Sequence, residues 1–511
     1  ENQQFTYICS KEFKMRKTYT ALLLLSITVA FSQSGELDLN FGASGFMITQ
    51  NEDLDTGHSM AVLPNDQIIM VGGYDNFTAI KLMADGTYDE TFGTQGQLLI
   101  NFPGYKAASK DVVVQPDGKI IIAGFVFIAG GIDLFGIVRL NPDGTLDNSF
   151  NGTGKLVFDF DEDENYLNAV ALQPDGKIVV IGQAGEYATA DYVAARINAD
   201  GTFDTSFGTN GKQRINVQRD DRATCMALQP DGKILIGGYS YPVGGSNCCF
   251  AAIRLTSDGA LDTTFGTDGK ALAKVASSYG NDAVYDMKLQ PDGKILMAAE
   301  CYIGTSQDIG IVRFTSDGDL DNTFSGDGRF STSMIGTTDY CNAIVVQPDG
   351  NILVAGSYYT TPQRNMCVLR LTPAGELDTT FSNDGKANFV VPQDNGVSVY
   401  DMKLQSTGQI LVSGYSLNDF MIARIFSGTE LSTHQWNTNE LSFYPNPATQ
   451  EIYFTENAAT VGIYTLDGKR IAEQKNVSEK MDVSNLEKGI YLMDILKADG
   501  AIYHQKLVIA R

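Results

Sequence analysis

Few residues of this chain have the types and spacing that acid–base or metal chemistry requires. The three histidines, His58, His434 and His504, lie far apart in a sequence of 511 residues. No Ser-His-Asp or Cys-His set can be assembled from them, and HExxH, Walker and dinucleotide-binding motifs are absent. Two placed carboxylates would suffice for glycoside hydrolysis, but the loop acids are too many to select a pair. The sequence therefore predicts no enzyme and offers no catalytic residues.

One acidic segment has the spacing of a calcium-binding loop. Asp317, Asp319 and Asp321 occupy alternate positions, as oxygen ligands of calcium do. The matching segments elsewhere lack the middle aspartate, as in Asp143-Gly144-Thr145-Leu146-Asp147. A second acidic cluster runs from Asp161 to Glu164. Turn formation and solvated charge are the simpler interpretations, so we expect no cofactor, with calcium as the alternative.

Cysteines are the remaining reactive side chains. Cys9 precedes an apparent export signal, and the other six are Cys225, Cys248, Cys249, Cys301, Cys341 and Cys367. An even number in an exported protein favours disulfides. Cys225 with Cys248 or Cys249, and Cys341 with Cys367, each fall within one repeat of the chain and are the predicted pairs. Free buried thiols are the alternative, followed by a metal site, for which no CxxC pair exists.

Most of these residues lie within a sevenfold repeat, which must position them. A Leu-Asp-x-x-Phe phrase or a close variant recurs every 51 to 59 residues and ends at Phe41, Phe92, Phe150, Phe207, Phe265, Phe324 and Phe381. A second phrase, Gln-Pro-Asp-Gly-Lys-Ile, is clean at Pro116, Pro174, Pro230 and Pro291 and nearly so at Pro348. A basic residue before an apolar one completes each unit, at Lys81, Arg139, Arg196, Arg254, Arg313, Arg370 and Arg424. A period of this length, repeated seven times, indicates a closed repeat architecture.

The phrases predict four short strands in each unit. Pro-Asp-Gly forms a tight turn, with apolar residues at alternate positions before it and an apolar run after it. Further strands follow the Phe and precede the basic residue. Four strands in each of seven units predict an all-β fold, a seven-bladed β-propeller with repeats of about 57 residues. Blade phase stays open: the strand after each Phe belongs to its own blade or closes the preceding one, and seven blades in register is the simplest arrangement.

Variation in loop length points to a binding face. The basic residue and the next Phe are always eleven residues apart, and the turn is equally fixed, whereas the other two connections vary. Those two connections emerge on the same side of an up-and-down blade, where binding residues usually lie. We expect ligand contacts from tyrosines in these loops: Tyr187, Tyr239, Tyr241, Tyr302, Tyr358, Tyr359 and Tyr415. Packing at strand ends is the alternative.

Residues held in every unit are better explained by structure. The repeated aspartates and basic residues would cap turns or pair between strands, and the phenylalanines would form blade core. The net charge of −24 opposes nucleic acid and anionic membrane surfaces as partners and favours solubility outside the cell.

The two ends of the chain differ from the repeats. Residues 1–14 have no pattern and suggest an upstream extension of the reading frame, and residues 15–32 have the layout of a signal peptide. The propeller is predicted over 33–426, a polar linker over 427–440 and a small β domain over 441–511. No other segment could cross a membrane as a helix.

Motifs in the tail and in the repeats resemble known families. The tail contains Phe443-Tyr444-Pro445-Asn446-Pro447-Ala448, Ile463-Tyr464-Thr465-Leu466-Asp467-Gly468-Lys469, Leu486-Glu487-Lys488-Gly489-Ile490-Tyr491 and Lys506-Leu507-Val508-Ile509. This combination resembles the type A C-terminal sorting domain of the type IX secretion system, with Pro445, Asn446, Pro447, Gly489, Tyr491 and Lys506 as its motif residues. The repeats, from Gly35 to Ile425, resemble the delta-60 repeat family, a predicted propeller without an assigned activity.

The sorting-domain resemblance implies a fold, a route and partners. It implies an Ig-like β-sandwich that is recognised at the outer membrane of certain Gram-negative bacteria after passage through the periplasm. The domain is then usually removed by a C-terminal signal peptidase as the cargo is released or attached to the surface. The expected function is therefore an exported binding protein for a glycan or a protein. An extracellular polysaccharide hydrolase or lyase, and a passive structural or adhesive protein, are the alternatives.

Overall fold

We describe a computed structural model of the chain. It describes residues 34–49, 56–127, 131–162, 164–186, 188–275, 280–335, 338–361, 363–391, 396–417, 419–428, 443–444, 448–454, 458–464, 470–478, 480–486, 488–496 and 502–510. These residues form strands and turns that divide into two compact units, one ending at Gly428 and the other beginning at Thr429, apart from Thr407–Gln409, which group with the second. The predicted signal peptide lies outside the described residues, and of the predicted linker only Ser427 and Gly428 are described. No helix that could span a membrane occurs in the described part of the chain.

The described residues of the first unit form seven sets of four antiparallel strands, and one parallel bridge between Gln307 and Thr338 joins the fifth and sixth sets into a single sheet. From the inner to the outer strand, the first four sets are β2 (Gly57–Val62), β3 (Ile68–Gly72), β4 (Phe77–Leu82) and β5 (Gln97–Ile100); β6 (Lys106–Val114), β7 (Ile120–Phe127), β8 (Asp133–Leu140) and β9 (Lys155–Phe158); β10 (Asn165–Leu172), β11 (Ile178–Ala184), β12 (Asp191–Ile197) and β13 (Lys212–Ile215); and β14 (Asp220–Leu228), β15 (Ile234–Tyr241), β16 (Cys249–Leu255) and β17 (Lys270–Ala273).

The remaining three sets are β18 (Asp282–Leu289), β19 (Ile295–Ile303), β20 (Ser306–Phe314) and β21 (Arg329–Thr332); β22 (Thr338–Val346), β23 (Ile352–Thr360), β24 (Gln363–Leu371) and β25 (Lys386–Phe389); and β26 (Val397–Leu404), β27 (Ile410–Ser416), β28 (Asp419–Ile425) and β1 (Phe46–Ile48). The inner strands β2, β6, β10, β14, β18, β22 and β26 contact one another in this order, and β26 contacts β2. The prediction of an all-β propeller of repeated four-stranded sheets is confirmed.

Ring closure settles the blade phase. The strand after each repeated Phe pairs with the strand that precedes that Phe, so it is the outer strand of the preceding sheet. The corresponding first strand, β1, pairs antiparallel with β28, and Phe46 lies opposite Ala423. The last sheet therefore contains strands from both ends of the propeller. The simpler expectation of blades in register with the repeats is wrong, because every repeat supplies its first strand to the sheet before it.

The residues that recur in the repeats of this chain form one group of contacts, which is itself repeated. In the fourth sheet, Arg254 Nε donates to Asp262 (2.7 Å) and Nη2 to Thr264 Oγ1 (3.2 Å), while the guanidinium lies 4.8 Å from the centre of the Phe265 ring. Its Nη1 donates to Ser316 O (2.8 Å), in the next sheet. We call this group the Arg-Asp-Phe unit. It links each sheet to its neighbour, which explains why these residues recur.

The unit is repeated around the ring with one substitution. Equivalent Arg–Asp and Arg–Phe contacts involve Arg139, Arg196, Arg313, Arg370 and Arg424. The first sheet has Lys81, which lies 3.0 Å from Asp89. Arg424 reaches back to Asp38 and Phe41, so the same contacts that join neighbouring sheets also join the two ends of the propeller.

The second unit contains two sheets over a shared apolar core. One sheet has the order β29 (Phe443–Tyr444), β30 (Glu451–Phe454) and β33 (Lys480–Asp482), and the other β32 (Arg470–Val477), β31 (Ala458–Tyr464), β34 (Gly489–Leu496) and β35 (Ile502–Ile509). Ile452, Val461, Ile463, Met493 and Leu507 are fully buried between them. Two sheets packed in this way are what a β-sandwich requires, and the Ig-like connectivity stays a prediction.

Candidate functional site

The inner strands carry a bulge at the same place in all seven sheets. Pairing with the second strand skips one residue in each, and the skipped residues are His58, Lys110, Asn168, Thr224, Tyr285, Asn342 and Tyr400. All seven are at least partly accessible, whereas the residue before each is buried. We call them the channel ring. A bulge re-aims a side chain, so seven different side chains are turned towards the central channel at one level.

Two members of the channel ring contact His58 from either side. Lys110 Nζ lies 3.1 Å from His58 Nε2, and the Tyr400 ring meets His58 edge-on at 5.2 Å. Burial lowers the pKa of Lys110 to about 8, and burial followed by the Lys110 charge holds the pKa of His58 well below its usual range. Among the described residues, Lys110 has no carboxylate within 4.0 Å. This part of the channel therefore holds a cation without a counter-ion.

Carboxylates next to the bulges join neighbouring sheets. Asp111 accepts from Val170 N (2.8 Å), Asp286 from Ile344 N (2.9 Å) and Asp401 from Met60 N (2.9 Å), in each case across the gap to the next sheet. Burial raises the pKa of Asp111 to about 6. Because these carboxylates are occupied by backbone N–H groups, they serve the assembly of the ring.

An open pocket lies where the sixth and seventh sheets meet the variable face, the side that carries the loops of unequal length. It measures ≈ 520 Å³ and is lined by Thr338, Tyr340, Tyr359, Arg364, Gly396, Ser398 and Tyr415, which we call the mouth pocket. The Arg364 guanidinium lies 4.0 Å from the centre of the Tyr340 ring, and its Nη1 donates to Ser398 Oγ (2.6 Å). A Cβ added to Gly396 would meet only open space. The pocket thus combines aromatic faces, hydroxyls and an oriented cation.

Tyrosines connect the mouth pocket to the channel ring. Tyr415 stacks on Tyr400 at 5.8 Å with a 22° angle between the ring planes. Burial and then the neighbouring Tyr415 raise the pKa of Tyr400 to about 12, so Tyr400 keeps its hydroxyl proton at neutral pH. On the wall of the fifth sheet, burial raises the pKa of Glu300 to about 7 and Gln307 donates to its carboxylate. The pocket and the ring form one continuous surface.

The predicted tyrosines have different environments. Tyr359 and Tyr415 line the mouth pocket, and Tyr302 is 48% exposed on the variable face. Tyr239 and Tyr241 meet edge-on at 6.1 Å and are half-buried. Tyr358 is buried in the core of the sixth sheet, where packing accounts for it. Tyr187 lies outside the described residues.

Sequence reasoning missed the most informative side chains of the site. These side chains lie on strands, whereas the predicted ligand contacts were tyrosines in loops. They are Arg364, Tyr340, Tyr400, His58 and Lys110. A signal was present in the inner strands, because the bulge position holds five residue types in seven repeats while the residue two positions later is always apolar. Variation inside a regular strand was therefore the better guide than variation in loop length.

Two of the acids considered as calcium ligands, Asp321 and Glu162, pair with arginines. Asp321 accepts from Arg313 Nε (2.8 Å) and from Thr323 Oγ1 (2.6 Å) as part of its Arg-Asp-Phe unit. Burial raises the pKa of Asp321, but these partners outweigh it and hold the pKa at about 2. Asp317 and Asp319 do not join it, since no cluster of three metal-ligating side chains occurs in the ranges that the structure describes. In the second cluster, Glu162 pairs with Arg214.

The six described cysteines are free thiols, which corrects the predicted disulfides. Cys341 and Cys367 both lie opposite Gly356, on the strands that flank β23. Two strand spacings amount to about 9.5 Å, beyond the Cα separation of about 7 Å that a disulfide allows. Cys225 and Cys249 are likewise separated by β15, and Cys248 Sγ contacts Asp282 O in the next sheet.

The sorting-motif residues lie in the second unit where they are described. Gly489 begins β34, Tyr491 is buried in the core, and Lys506 lies in β35. Pro445, Asn446 and Pro447 lie outside the described residues.

Comparison with known proteins identifies both parts of the chain. Residues 115–150, 173–207, 229–265, 290–324 and 347–381 match the domain of unknown function (DUF5122) beta-propeller, and residues 442–510 match the secretion system C-terminal sorting domain. The resemblance to a propeller repeat family with a sorting tail is confirmed. The chain is accordingly a cargo of the type IX secretion machinery, delivered to the outer surface or the extracellular space.

Individual proteins show more limited similarity. Beta-agarase D of Zobellia galactanivorans is 36% identical over 74 residues, which is 14% of this chain and 16% of the agarase. Virginiamycin B lyase from Staphylococcus aureus is 11% identical, with 74% of this chain and 98% of the lyase covered at a TM-score of 0.44. PorZ, a surface component of the type IX system of Porphyromonas gingivalis, is 12% identical, with 94% and 61% covered at a TM-score of 0.37. These values are too low to transfer a function.

Proposed function

We propose that the protein is an exported saccharide-binding propeller whose ligand enters the mouth pocket. The observation that carries this proposal is the lining of the pocket, in which Tyr340, Tyr359 and Tyr415 border ≈ 520 Å³ of open space with the hydroxyls of Thr338 and Ser398 between them. Aromatic faces bury the C–H faces of sugar rings, and hydroxyls exchange hydrogen bonds with sugar hydroxyls. Tyrosine supplies this contact area at a small cost in side-chain entropy.

The location of the pocket supports the same proposal. It lies at the variable face, and all of its lining residues except Gly396 lie on strands of the sixth and seventh sheets, which an Arg-Asp-Phe unit joins at the opposite end of these strands. Binding residues positioned by a rigid scaffold lose little entropy when the ligand arrives. The surrounding scaffold repeats, whereas the pocket occurs at one sheet junction, so one saccharide segment per propeller is the expected stoichiometry.

Calorimetric titration of the exported protein with soluble oligosaccharides tests the proposal. Tyr415→Ala should weaken binding at least ten-fold, because it removes one of three aromatic walls. Gly396→Leu should block binding, since its side chain extends into the open space of the pocket. Tyr302→Ala is the matched control, an exposed tyrosine of the same face that does not line the pocket. Binding that Gly396→Leu leaves intact would contradict the proposal.

A hydrolase or lyase is the second candidate, favoured by two groups with perturbed pKa values, Glu300 on the fifth sheet and Lys110 deeper in the channel. Glu300, with a pKa of about 7, and Lys110, with a pKa of about 8, have values suited to proton transfer near neutral pH. Incubating the protein with the same oligosaccharides and measuring new reducing ends distinguishes the two functions. Saturable binding without product supports the binding protein, and turnover that Glu300→Gln abolishes supports the enzyme.

A further inference from the structure

Arg364 differs from most other described arginines in having no carboxylate partner. Ten described arginines lie within 4.0 Å of a carboxylate: Arg139, Arg196, Arg214, Arg222, Arg254, Arg313, Arg329, Arg370, Arg424 and Arg470. Arg364 and Arg219 have no such partner among the residues described, although the chain has 61 acidic residues against 37 lysines and arginines. A cation left without a counter-ion in an acidic protein is available for one from outside.

The guanidinium is already held in a fixed orientation. Tyr340 packs against its face at 4.0 Å, and Ser398 accepts from Nη1 at 2.6 Å. A guanidinium has five N–H donors, so most of them remain for a ligand. A planar group with a fixed orientation binds carboxylate or sulfate oxygens through two parallel hydrogen bonds, and such charge-assisted bonds are stronger than those between neutral groups.

The surroundings do not supply a competing anion. Glu300 influences Arg364 only over a longer distance, and burial keeps the Glu300 carboxyl partly protonated at neutral pH, with a pKa of about 7. Deeper in the channel, Lys110 also lacks a carboxylate within 4.0 Å in the described ranges and contacts His58 instead. An anionic ligand would therefore meet two uncompensated cations on the path from the pocket into the channel.

We propose that the mouth pocket selects acidic saccharides, with Arg364 binding a carboxylate or sulfate group of the sugar while the tyrosines receive its ring faces. This inference rests on the proposed function, because it names the class of saccharide that the same pocket binds. Uronic acids and sulfate esters present the same charge and similar oxygen spacing. The experiment separates these two sources.

The test compares three probes of equal length on the exported protein: oligogalacturonates, sulfated carrageenan oligosaccharides and neutral agaro-oligosaccharides. At least one acidic probe should bind ten-fold or more tightly than the neutral one, and this preference should fall with increasing salt. Arg364→Gln should bring the ratio of acidic to neutral affinity close to one. Arg329→Gln, which changes an arginine outside the pocket, should leave the ratio unchanged.

A second variant distinguishes a specific loss of acidic-saccharide binding from unfolding of the protein. Ser398→Ala keeps the charge but removes the acceptor that orients Arg364, so the ratio should fall by about two- to five-fold at an unchanged melting temperature. Equal affinity of the wild type for neutral and acidic probes would overturn the inference and leave the proposed function standing. Failure to bind any saccharide would overturn both. Preference for the uronate or for the sulfated probe identifies which acidic group the pocket accepts.

Discussion

Replacing Arg254 by alanine should destabilise the propeller more than replacing any exposed basic residue. Arg254 and Asp262 are each 7% exposed, and the guanidinium bonds to Asp262, Thr264 and Ser316 O while packing on Phe265. Removing one partner of a buried ion pair costs about 3–5 kcal/mol when the remaining charge has no other partner, but Lys233 also lies 3.0 Å from Asp262 and would compensate part of its charge. Arg254→Ala also removes a link between the fourth and fifth sheets, which offsets the retained Lys233 contact, so a loss within this range is expected.

The expected free-energy loss converts into a measurable shift of the melting temperature. A propeller unit of roughly 390 residues unfolds with an entropy of about 0.8 kcal/mol/K, so the shift should be about 4–6 °C. Calorimetry of the isolated mature protein measures it. Arg254→Lys should lose less, because Lys81 makes the equivalent contact with Asp89 in the first sheet at 3.0 Å, but a lysine cannot also reach the partners of Nη1 and Nη2.

The control is Lys106→Ala, which removes a solvent-exposed ion pair with Asp75 on the same propeller. Surface pairs of this kind contribute little, so its melting temperature should stay within about 1 °C of the wild type. A shift for Arg254→Ala no larger than that of Lys106→Ala would refute the reasoning that the repeated arginines hold the sheets together.

Two further predictions concern the pH dependence of stability and export. Asp339 is fully buried, one of its oxygens has no hydrogen-bond partner, and burial raises its pKa from 3.8 to about 6. Because the folded state binds the proton more tightly than the unfolded one, stability should rise as the pH falls from 6 towards 4, and Asp339→Asn should add about 1–3 kcal/mol at pH 7 but little below pH 4, as followed by urea unfolding. Asp384→Asn, in an exposed turn, is the control and should change stability little at either pH. Deletion of residues 441–511 should leave the propeller in the periplasm, as cell fractionation would show, and normal secretion of that variant would contradict the role of the sorting domain.

The sequence predicted the repeating parts of the fold because each repeated residue has one local task. The Pro-Asp-Gly turn needs a glycine with positive φ, such as Gly118 at +84°, and the spacing from Arg254 to Phe265 is fixed because both residues belong to one contact group. These requirements are short-range and recur seven times, so they are visible without coordinates.

Blade phase and the mouth pocket could not be predicted in the same way. Phase depends on the pairing of β1 with β28, whose partners are separated by more than 370 residues and carry no distinctive residue types. Arg364 is oriented by Tyr340 and Ser398, which lie on two other strands in two different sheets. Such long-range juxtapositions depend on register, and the bulges that shift this register have no common residue type: Asn and Tyr each occur twice, and His, Lys and Thr once.

The closure of the ring also sets an order of events during synthesis and export. The partner of β1 is β28, the last strand of the propeller to be made, so the first strand remains unpaired until the whole propeller sequence is available. β28 ends at Ile425, and the sorting domain begins at residue 442. The sorting domain is therefore synthesised only after every strand of the propeller. A chain truncated within the propeller lacks both the strand that closes the ring and the domain that directs secretion.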